Sequence, residues 1–471
     1  MKDSRDTDLT TYLVFCCVTA ALPSFLLGYS TGVPNIPQDV VQHCSDGADP
    51  NTTPFPECLP MSDLLWGLAN GLFSAGGLIG SLMAGPLSAR FGRKSCILYN
   101  NVFLLAGSAA VGLAITPLQL ILGRFTLGVG CGLATVVQSI YIGEVATTKR
   151  RAALGSLTEF GIVFGVLIAV IVTLFSSDAP YWRISFSGGG VLSLFCFFGM
   201  LFAVETPQYL LMKGHHSQAK QCLQYLRKGY DVSTDSLKQR VLTIVDLKRD
   251  DLTEKTHLLS NNSNALKSIT AIGLLRDSQL RPLVFIAAFT LSAQILCGIT
   301  ALEVYSASII RRYFSNGTAE YITCALAATN VLMGLLMAPV IDKFGRRRLL
   351  LISQTGVILS CVALVFILFV IFFAIGLGPI PWLIVSEMFP TNALDSATAI
   401  VIGANWLSNF GTEWVFPIVN SKLEDYTFVV FTGIGLLQLT VFYLLVPETK
   451  PQLVYKNNQT HFEHIQERDV Q

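Results

Sequence analysis

Residues 89–94 read Ala89-Arg90-Phe91-Gly92-Arg93-Lys94, and residues 342–347 read Asp342-Lys343-Phe344-Gly345-Arg346-Arg347. The recurrence is not isolated. Gly143-Glu144-Val145 returns as Ser386-Glu387-Met388, and Glu205-Thr206-Pro207 returns loosely as Pro447-Glu448-Thr449. Three motifs repeated in one order make the chain an internal duplication. Gly92 to Gly345 is 253 residues, whereas Glu144 to Glu387 and Glu205 to Glu448 are both 243, so the second copy lacks ten residues between Gly345 and Glu387.

Working outward, the 471 residues are 52% hydrophobic and 13% charged, with a mean hydropathy of +0.56. That profile is too apolar for soluble domains of this length. Stretches able to cross about 30 Å of hydrocarbon occur near 12–33, 63–85, 95–115, 118–140, 153–175, 184–204, 282–304, 320–341, 349–385, 396–418 and 427–447. Each must be helical, because the bilayer core offers no water to backbone polar groups. The run from Tyr12 to Val33 has no small-residue cleavage site before it ends, so it reads as a first spanning helix and not as a cleaved signal. Orientation follows from Lys and Arg. Arg90, Arg93 and Lys94 follow the second span, Lys149, Arg150 and Arg151 the fourth, and twelve basic residues fall in 205–281, while Pro34 to Asp63 has none. By the positive-inside rule those basic ends face the cytoplasm, with Arg311-Arg312 a weak exception outside. The expected organisation is an N-terminal bundle at 1–204, a cytoplasmic linker with short helices at 205–281, a C-terminal bundle at 282–450 and a cytoplasmic tail at 451–471. Duplicated halves of this kind carry their site where the halves meet, near the midplane.

The ten-residue deficit has a consequence for topology. Both motifs flanking 349–385 should be cytoplasmic, so 37 residues must cross twice at about 20 residues per crossing, with no polar turn. A shortened hairpin with a truncated ninth span is expected. The competing arrangement is a single crossing, which inverts everything after Trp382.

Several function classes are excluded or bounded. A formal charge of +1 gives no footprint for nucleic acid. Eleven cysteines without CxxC or Cys/His spacing make no zinc scaffold. No nucleophile–base pair, phosphate loop or metal spacing appears, so neither an enzyme nor a cofactor is expected. Cys44 and Cys58 share the first polar loop, and on the oxidising side a disulfide between them is expected. Asn51-Thr52-Thr53 is a glycosylation sequon on that loop, and Asn316-Gly317-Thr318 lies on another outside loop. Glu254, Leu258 and Leu259, in Glu254-Lys255-Thr256-His257-Leu258-Leu259, fit an acidic dileucine signal for sorting adaptors.

The motifs themselves pair arginines with carboxylates. Each Arg-Phe-Gly-Arg-like loop joins a tight Gly turn to guanidinium groups that can bridge helix ends and acids, with Glu144 and Arg151 a candidate pair. Together with Gly28-Tyr29-Ser30-Thr31-Gly32-Val33, Gly123-Arg124-Phe125, Tyr141-Ile142-Gly143-Glu144-Val145, Gln294 through Ser306, Gly378-Pro379-Ile380-Pro381-Trp382, Asn405-Trp406-Leu407-Ser408-Asn409-Phe410 and Val446-Pro447-Glu448-Thr449-Lys450, they carry a resemblance. The chain resembles the sugar porters of the major facilitator superfamily, specifically the facilitative glucose-transporter family, from about residue 10 to 456. The resemblance implies an all-α membrane protein with two pseudo-symmetric six-helix bundles, here with a shortened ninth and tenth helix region, rocking about a central sugar site. It implies conformational gating by Arg90, Arg93, Arg124, Glu144, Arg151, Arg346, Arg347 and Glu387.

It also places sugar contacts at Gln294, Thr300, Asn330, Trp382, Trp406, Asn409 and Glu159. Physical chemistry agrees with amides and an aromatic platform. Every buried hydroxyl of a neutral polyol needs a hydrogen-bond partner, and its C–H face can lie on a ring. Asn330 and Asn409 could equally serve as helix–helix hydrogen bonds. Gly378, Pro379 and Pro381 break the helix beside Trp382, and irregular backbone at membrane depth lines a cavity or packs on protein. Departures accompany the matches. Ile295 replaces a second Gln, Thr300 an Asn, and Ala374 a Glu; Leu394 stands where an Arg would answer Glu387, and Gln208 replaces an Arg. Glu159 stands where the family has a Gln, and Glu303 where an aromatic is usual. Each is an intramembrane carboxylate and a candidate ligand or cavity residue. Ser30 holds the position of the titrating Asp of proton-coupled relatives, which favours uniport. The expected function is facilitative transport of a hexose, glucose by preference, across the plasma membrane or an endosomal membrane. The alternatives are a non-transporting sugar sensor and an inactive shortened form. The bilayer and a small sugar are the expected partners.

Overall fold

A computed structural model describes residues 10–43, 55–147, 154–155, 157–176, 178, 180–227, 271–278, 280–341, 344–389 and 393–448. Cys44, Asn51, Arg151, Glu254, Leu258 and Leu259 lie outside the described residues. The first six long helices are α1 (Thr11–Gly32), α2 (Asp63–Phe91), α3 (Arg93–Gly112), α4 (Pro117–Val145), α5 (Leu157–Ser176) and α6 (Trp182–Phe202). Their starts are written locally. Thr10 Oγ1 accepts from Leu13 N at 3.1 Å, Ser62 Oγ from Leu65 N at 3.4 Å, and Thr116 Oγ1 from Gln119 N at 3.2 Å, with Pro117 in the first turn of α4. Short helices Pro207–Met212, His216–Arg227 and Ala271–Arg276 follow.

The second half contains α7 (Leu280–Leu296), α8 (Ile299–Ile310), α9 (Asn316–Ile341), α10 (Arg346–Ala363), α11 (Phe366–Ile375), α12 (Ile380–Met388), α13 (Leu394–Leu423) and α14 (Thr427–Leu445). Two crossings are broken. Gly298, in the left-handed region at φ 107°, separates α7 from α8, and the stretch 376–379 separates α11 from α12. Ten stretches among the described residues are long and apolar enough to span, with α7–α8 counted as one span of 31 residues and α11–α12 carrying another. The two remaining crossings are less apolar for a reason: α10 opens on Arg346-Arg347-Arg348, and α13 carries Asn405, Asn409 and Glu413. Among the described residues the architecture is all-helical, with six crossings in each half.

Lipid offers no hydrophobic drive between helices, so close approach depends on small residues. A Cβ on Gly128 of α4 would sit 1.8 Å from Phe73 O of α2, and one on Gly132 would sit 1.9 Å from Gly77 O. The two helices therefore touch backbone to backbone. The halves meet where α2 packs on α13, α5 on α9 and α1 on α8.

The shortened region is a hairpin that crosses twice. Its ends meet, because Arg346 Nη2 donates to Glu387 Oε1 at 3.0 Å; the single-crossing arrangement is excluded. The shortening falls differently from the expected truncated ninth span. Helix α10 has 18 residues against 20 in α3, and its connector is Leu364-Val365 against the four residues Leu113 to Thr116. The tenth crossing, Phe366 to Met388, covers 23 residues against 29 in α4. Most of the loss is thus in the tenth crossing. The turn needs no polar residue because Leu364 itself adopts the left-handed conformation at φ 52°, ψ 36°. Val365 N bonds Ser360 O at 3.1 Å and Leu364 N bonds Cys361 O at 3.4 Å, the two bonds of a Schellman cap. Gly356 then makes room for the Phe372 ring, and Ser353 Oγ ties the return, donating to Phe372 O at 2.7 Å and accepting from Leu377 N at 2.9 Å.

Candidate functional site

At the end that Lys and Arg assign to the cytoplasm, the repeat builds the same cluster twice. Arg93 Nη2 reaches Glu144 Oε1 at 2.8 Å, Arg93 Nη1 donates to Ser88 O at 3.3 Å, and the Arg93 and Lys94 amides donate to Glu205 Oε1 at 3.0 and 3.1 Å. In the second half Arg346 Nη2 reaches Glu387, Nη1 donates to Ile341 O at 3.1 Å, and the Arg346 and Arg347 amides donate to Glu448 at 2.9 and 3.3 Å. Each Glu205-type carboxylate caps a helix N-terminus, where charge and orphan amides favour it. Glycine is needed beneath it: a Cβ on Gly92 or Gly345 would meet the carboxylate at 2.4 or 2.3 Å.

Three expected gating residues stand apart from these pairs. Arg90 is exposed, its guanidinium over the Phe91 ring at 5.4 Å, because it points from the last turn of α2 toward solvent. Arg347 donates to Tyr443 O and lies over the Tyr443 ring, clamping α14 instead of an acid side chain. Arg124 is not at this end. It lies two turns into α4 from the opposite end, buried, donating to Ser30 O at 2.5 Å and to Asn70 Oδ1 at 2.9 Å, 4.7 Å from the Phe73 ring centre.

Between the halves lies a cavity of about 670 Å³, its open solvent included. Gln294, Thr300, Trp382, Trp406, Asn409 and Glu159 all line it. Gln294 Nε2 donates to Gly378 O at 2.7 Å, so the helix break in the tenth crossing supplies the acceptor that orients the amide. Thr300 Oγ1 donates to Asn409 Oδ1 at 2.9 Å, and Asn409 Nδ2 reaches Asn405 O at 3.2 Å. Asn409 therefore combines helix packing with a place on the cavity. Trp382 Nε1 is a buried donor without a partner. Trp406 packs edge-on against Phe73 at 5.8 Å and over Gly77, so it also joins the halves.

Asn330 differs from the expectation. It lines an adjoining cavity with Asn35, Ser306 and Glu303, and not the central one, because its face of α9 turns toward α8. Val163, Ile299 and Glu303 line both. Sequence reasoning also missed Glu413, which lines the central cavity and accepts from Ser74 Oγ at 2.6 Å; an acid inside the eleventh crossing was the available signal. Asn35 was missed as well. Its Nδ2 donates to Glu303 O at 2.8 Å and Ser306 Oγ at 2.9 Å, and its Oδ1 accepts from Ala307 N at 2.9 Å.

With Asn70–Tyr305 at 3.4 Å, Ser74–Glu413, and Arg311 on Asp39 and Ile36 O, these bonds share one location. These bonds between the halves lie in their outer half. The arrangement is closed to the outside. Cys58, on that side, is disulfide-bonded.

The family described as Sugar (and other) transporter matches residues 16–460. This chain belongs to that family. It is a membrane sugar-porter protein of the major facilitator superfamily and not an enzyme. The human solute carrier family 2 facilitated glucose transporter member 3 is 31% identical, over 94% of this chain and 90% of that protein. Human member 5 is also 31% identical, over 98% and 93%. Among solved structures, the partially occluded inward-open xylose transporter XylE from E. coli matches with a TM-score of 0.74 at 21% identity, covering 93% of this chain and all of that one. That likeness shows the fold.

Proposed function

We propose that the protein carries a hexose down its gradient by alternating access, as a uniporter in the plasma membrane. The observation that carries this reading is the cavity between the halves, lined by Gln294, Thr300, Asn409 and the unpartnered Trp382 Nε1. Amide, hydroxyl and indole groups beside aromatic surface suit a polyol, whose hydroxyls must each find a partner once buried. Relatives named facilitated glucose transporters support a facilitative mode, whereas XylE is named a proton:xylose symporter. Ser30 favours the former: Arg124 meets a backbone carbonyl there, where a carboxylate would serve proton coupling. Ile295 and Ala374 thin the polar site, and that observation supports the second reading, a sensor that binds sugar without moving it. Uptake of a panel of radiolabelled hexoses by proteoliposomes holding the purified chain separates the two. Saturable uptake of at least one hexose supports transport, and binding without uptake supports the sensor.

A further inference from the structure

The two bundles differ in height along one flank. Lys94 Nζ donates to Leu201 O at 3.0 Å and Arg347 Nη2 to Tyr443 O at 2.5 Å, so the last basic residue of each repeated motif marks a cytoplasmic level on a packed helix pair, α3 with α6 and α10 with α14. From that level, Leu201 to Tyr181 is 20 residues along α6, and Lys94 to the cap Leu113 is 19 along α3. In the second half Tyr443 to Tyr426 and Arg347 to the cap Leu364 are both 17. At about 1.5 Å per residue the first pair reaches about 28–30 Å and the second about 26 Å, against about 30 Å of hydrocarbon in an ordinary bilayer. Both helices of the second pair fall short, and any tilt shortens their reach further.

The outer ends differ in chemistry as well. Arg183 Nη1 donates to Gly112 O at 3.2 Å and Ala114 O at 2.6 Å, and Gln119 Nε2 donates to Ala110 O at 3.3 Å and Leu113 O at 3.2 Å, so side chains complete the turn after α3. After α10 every residue from Cys361 to Ile375 is apolar, the contact to α14 is Phe366 on Phe428 at 5.1 Å, and backbone bonds alone close the turn. Among the described residues the amides of Phe366, Ile367 and Leu368 have no partner, and Val365 supplies no side-chain cap. Hydrocarbon cannot satisfy such groups, so this end has to stand at the water edge of the bilayer. Val362, Leu364 and Ile367 are nevertheless exposed apolar side chains. A turn too short to reach the ordinary surface, and too polar in its backbone to stay beneath it, requires the surface to come to it.

We propose that the α10–α14 flank takes a thinner bilayer than the rest of the molecule. The outer leaflet is drawn in by about 4 Å to meet the turn at Leu364 and Val365, and phosphatidylcholine with short acyl chains, which fits that height undistorted, collects there. The flank also connects to the central cavity. Helix α11 leaves this turn and places Phe373 on the cavity wall, so a thick bilayer that pulls on the turn loads that wall. The dependence of uptake on chain length rests on the transport reading above, whereas the lipid selection does not.

The test puts a fluorescent label on Leu364→Cys or, at the matching cap of the first half, on Leu113→Cys, in the full chain reconstituted in dioleoyl phosphatidylcholine. Labelling of native cysteines is subtracted with the unsubstituted chain. A minor fraction of brominated dimyristoleoyl or brominated dierucoyl phosphatidylcholine then quenches each label. Expected is a ratio of short-chain to long-chain quenching about twofold or more higher at position 364 than at position 113. Hexose uptake should be about threefold faster in dimyristoleoyl than in dierucoyl phosphatidylcholine. If Leu364→Cys does not fold, Val362→Cys takes its place. Equal ratios at the two positions, or a higher one at 113, overturn the proposal whatever uptake does. Uptake that stays level or rises with chain length also overturns it. Unequal ratios with no uptake in any bilayer uphold the lipid selection and contradict transport alone.

Discussion

Arg346 and Glu387, 41 positions apart, meet through Nη2 and Oε1 at 3.0 Å, and Arg93 and Glu144 repeat the pair at 2.8 Å. With side chains 7% and 20% exposed in one pair and 3% and 8% in the other, both are mostly removed from water. Removing one partner leaves a charge with too few ligands. Arg346→Ala and Glu387→Ala should each cost about 2 kcal/mol, and the double variant should cost less than their sum. Arg90→Ala should stay within about 0.5 kcal/mol of the wild type. Thermal unfolding in detergent measures all four.

The cavity residues predict a split between abundance and rate. Trp382→Ala removes a ring and a free indole donor, and Gln294→Ala removes the amide held by Gly378. Each should lower hexose uptake about tenfold, equivalent to 1–3 kcal/mol, at unchanged abundance in the membrane. Unaltered kinetics in both variants would place the sugar elsewhere.

The outer contacts predict a shift in population. Asn35 makes three bonds across the halves at 2.8–2.9 Å. Asn35→Ala should therefore weaken outward closure, and Thr31→Cys, on the cavity wall, should react faster with an impermeant thiol reagent added outside. Equal reaction rates with and without Asn35 would mean that these bonds do not set the closed state.

How much of this was legible in the sequence differs from site to site. The two arginine–carboxylate clusters were, because each rests on a short motif whose partners recur in order along the chain. Arg124 was not, since a basic residue inside a span reads alike whether it gates or packs. The turn at Leu364 was hidden for a different reason. Its Schellman cap takes a leucine where glycine is usual, so no polar or flexible residue marked it. Asn330 lay on the right helix, but which cavity it lines depends on the rotation of α9, which apolar periodicity in an all-round hydrophobic helix does not fix.

Topology follows from the same hairpin. Two crossings between Arg346 and Glu387 return Glu448 to the side of Gly345, so a tag after Gln471 should be inaccessible on unpermeabilised cells, and glycosidase should shift the mobility of the protein through Asn51. An accessible tag would contradict the hairpin.

The central claim is that sugar moves through this cavity without a coupling ion, and one measurement reaches it most directly. The time course of radiolabelled hexose entry into proteoliposomes is followed with and without a protonophore. Uniport brings the internal concentration to the external one and no further, at the same rate in both conditions. Accumulation above the external concentration that the protonophore abolishes, or no entry at all, contradicts it.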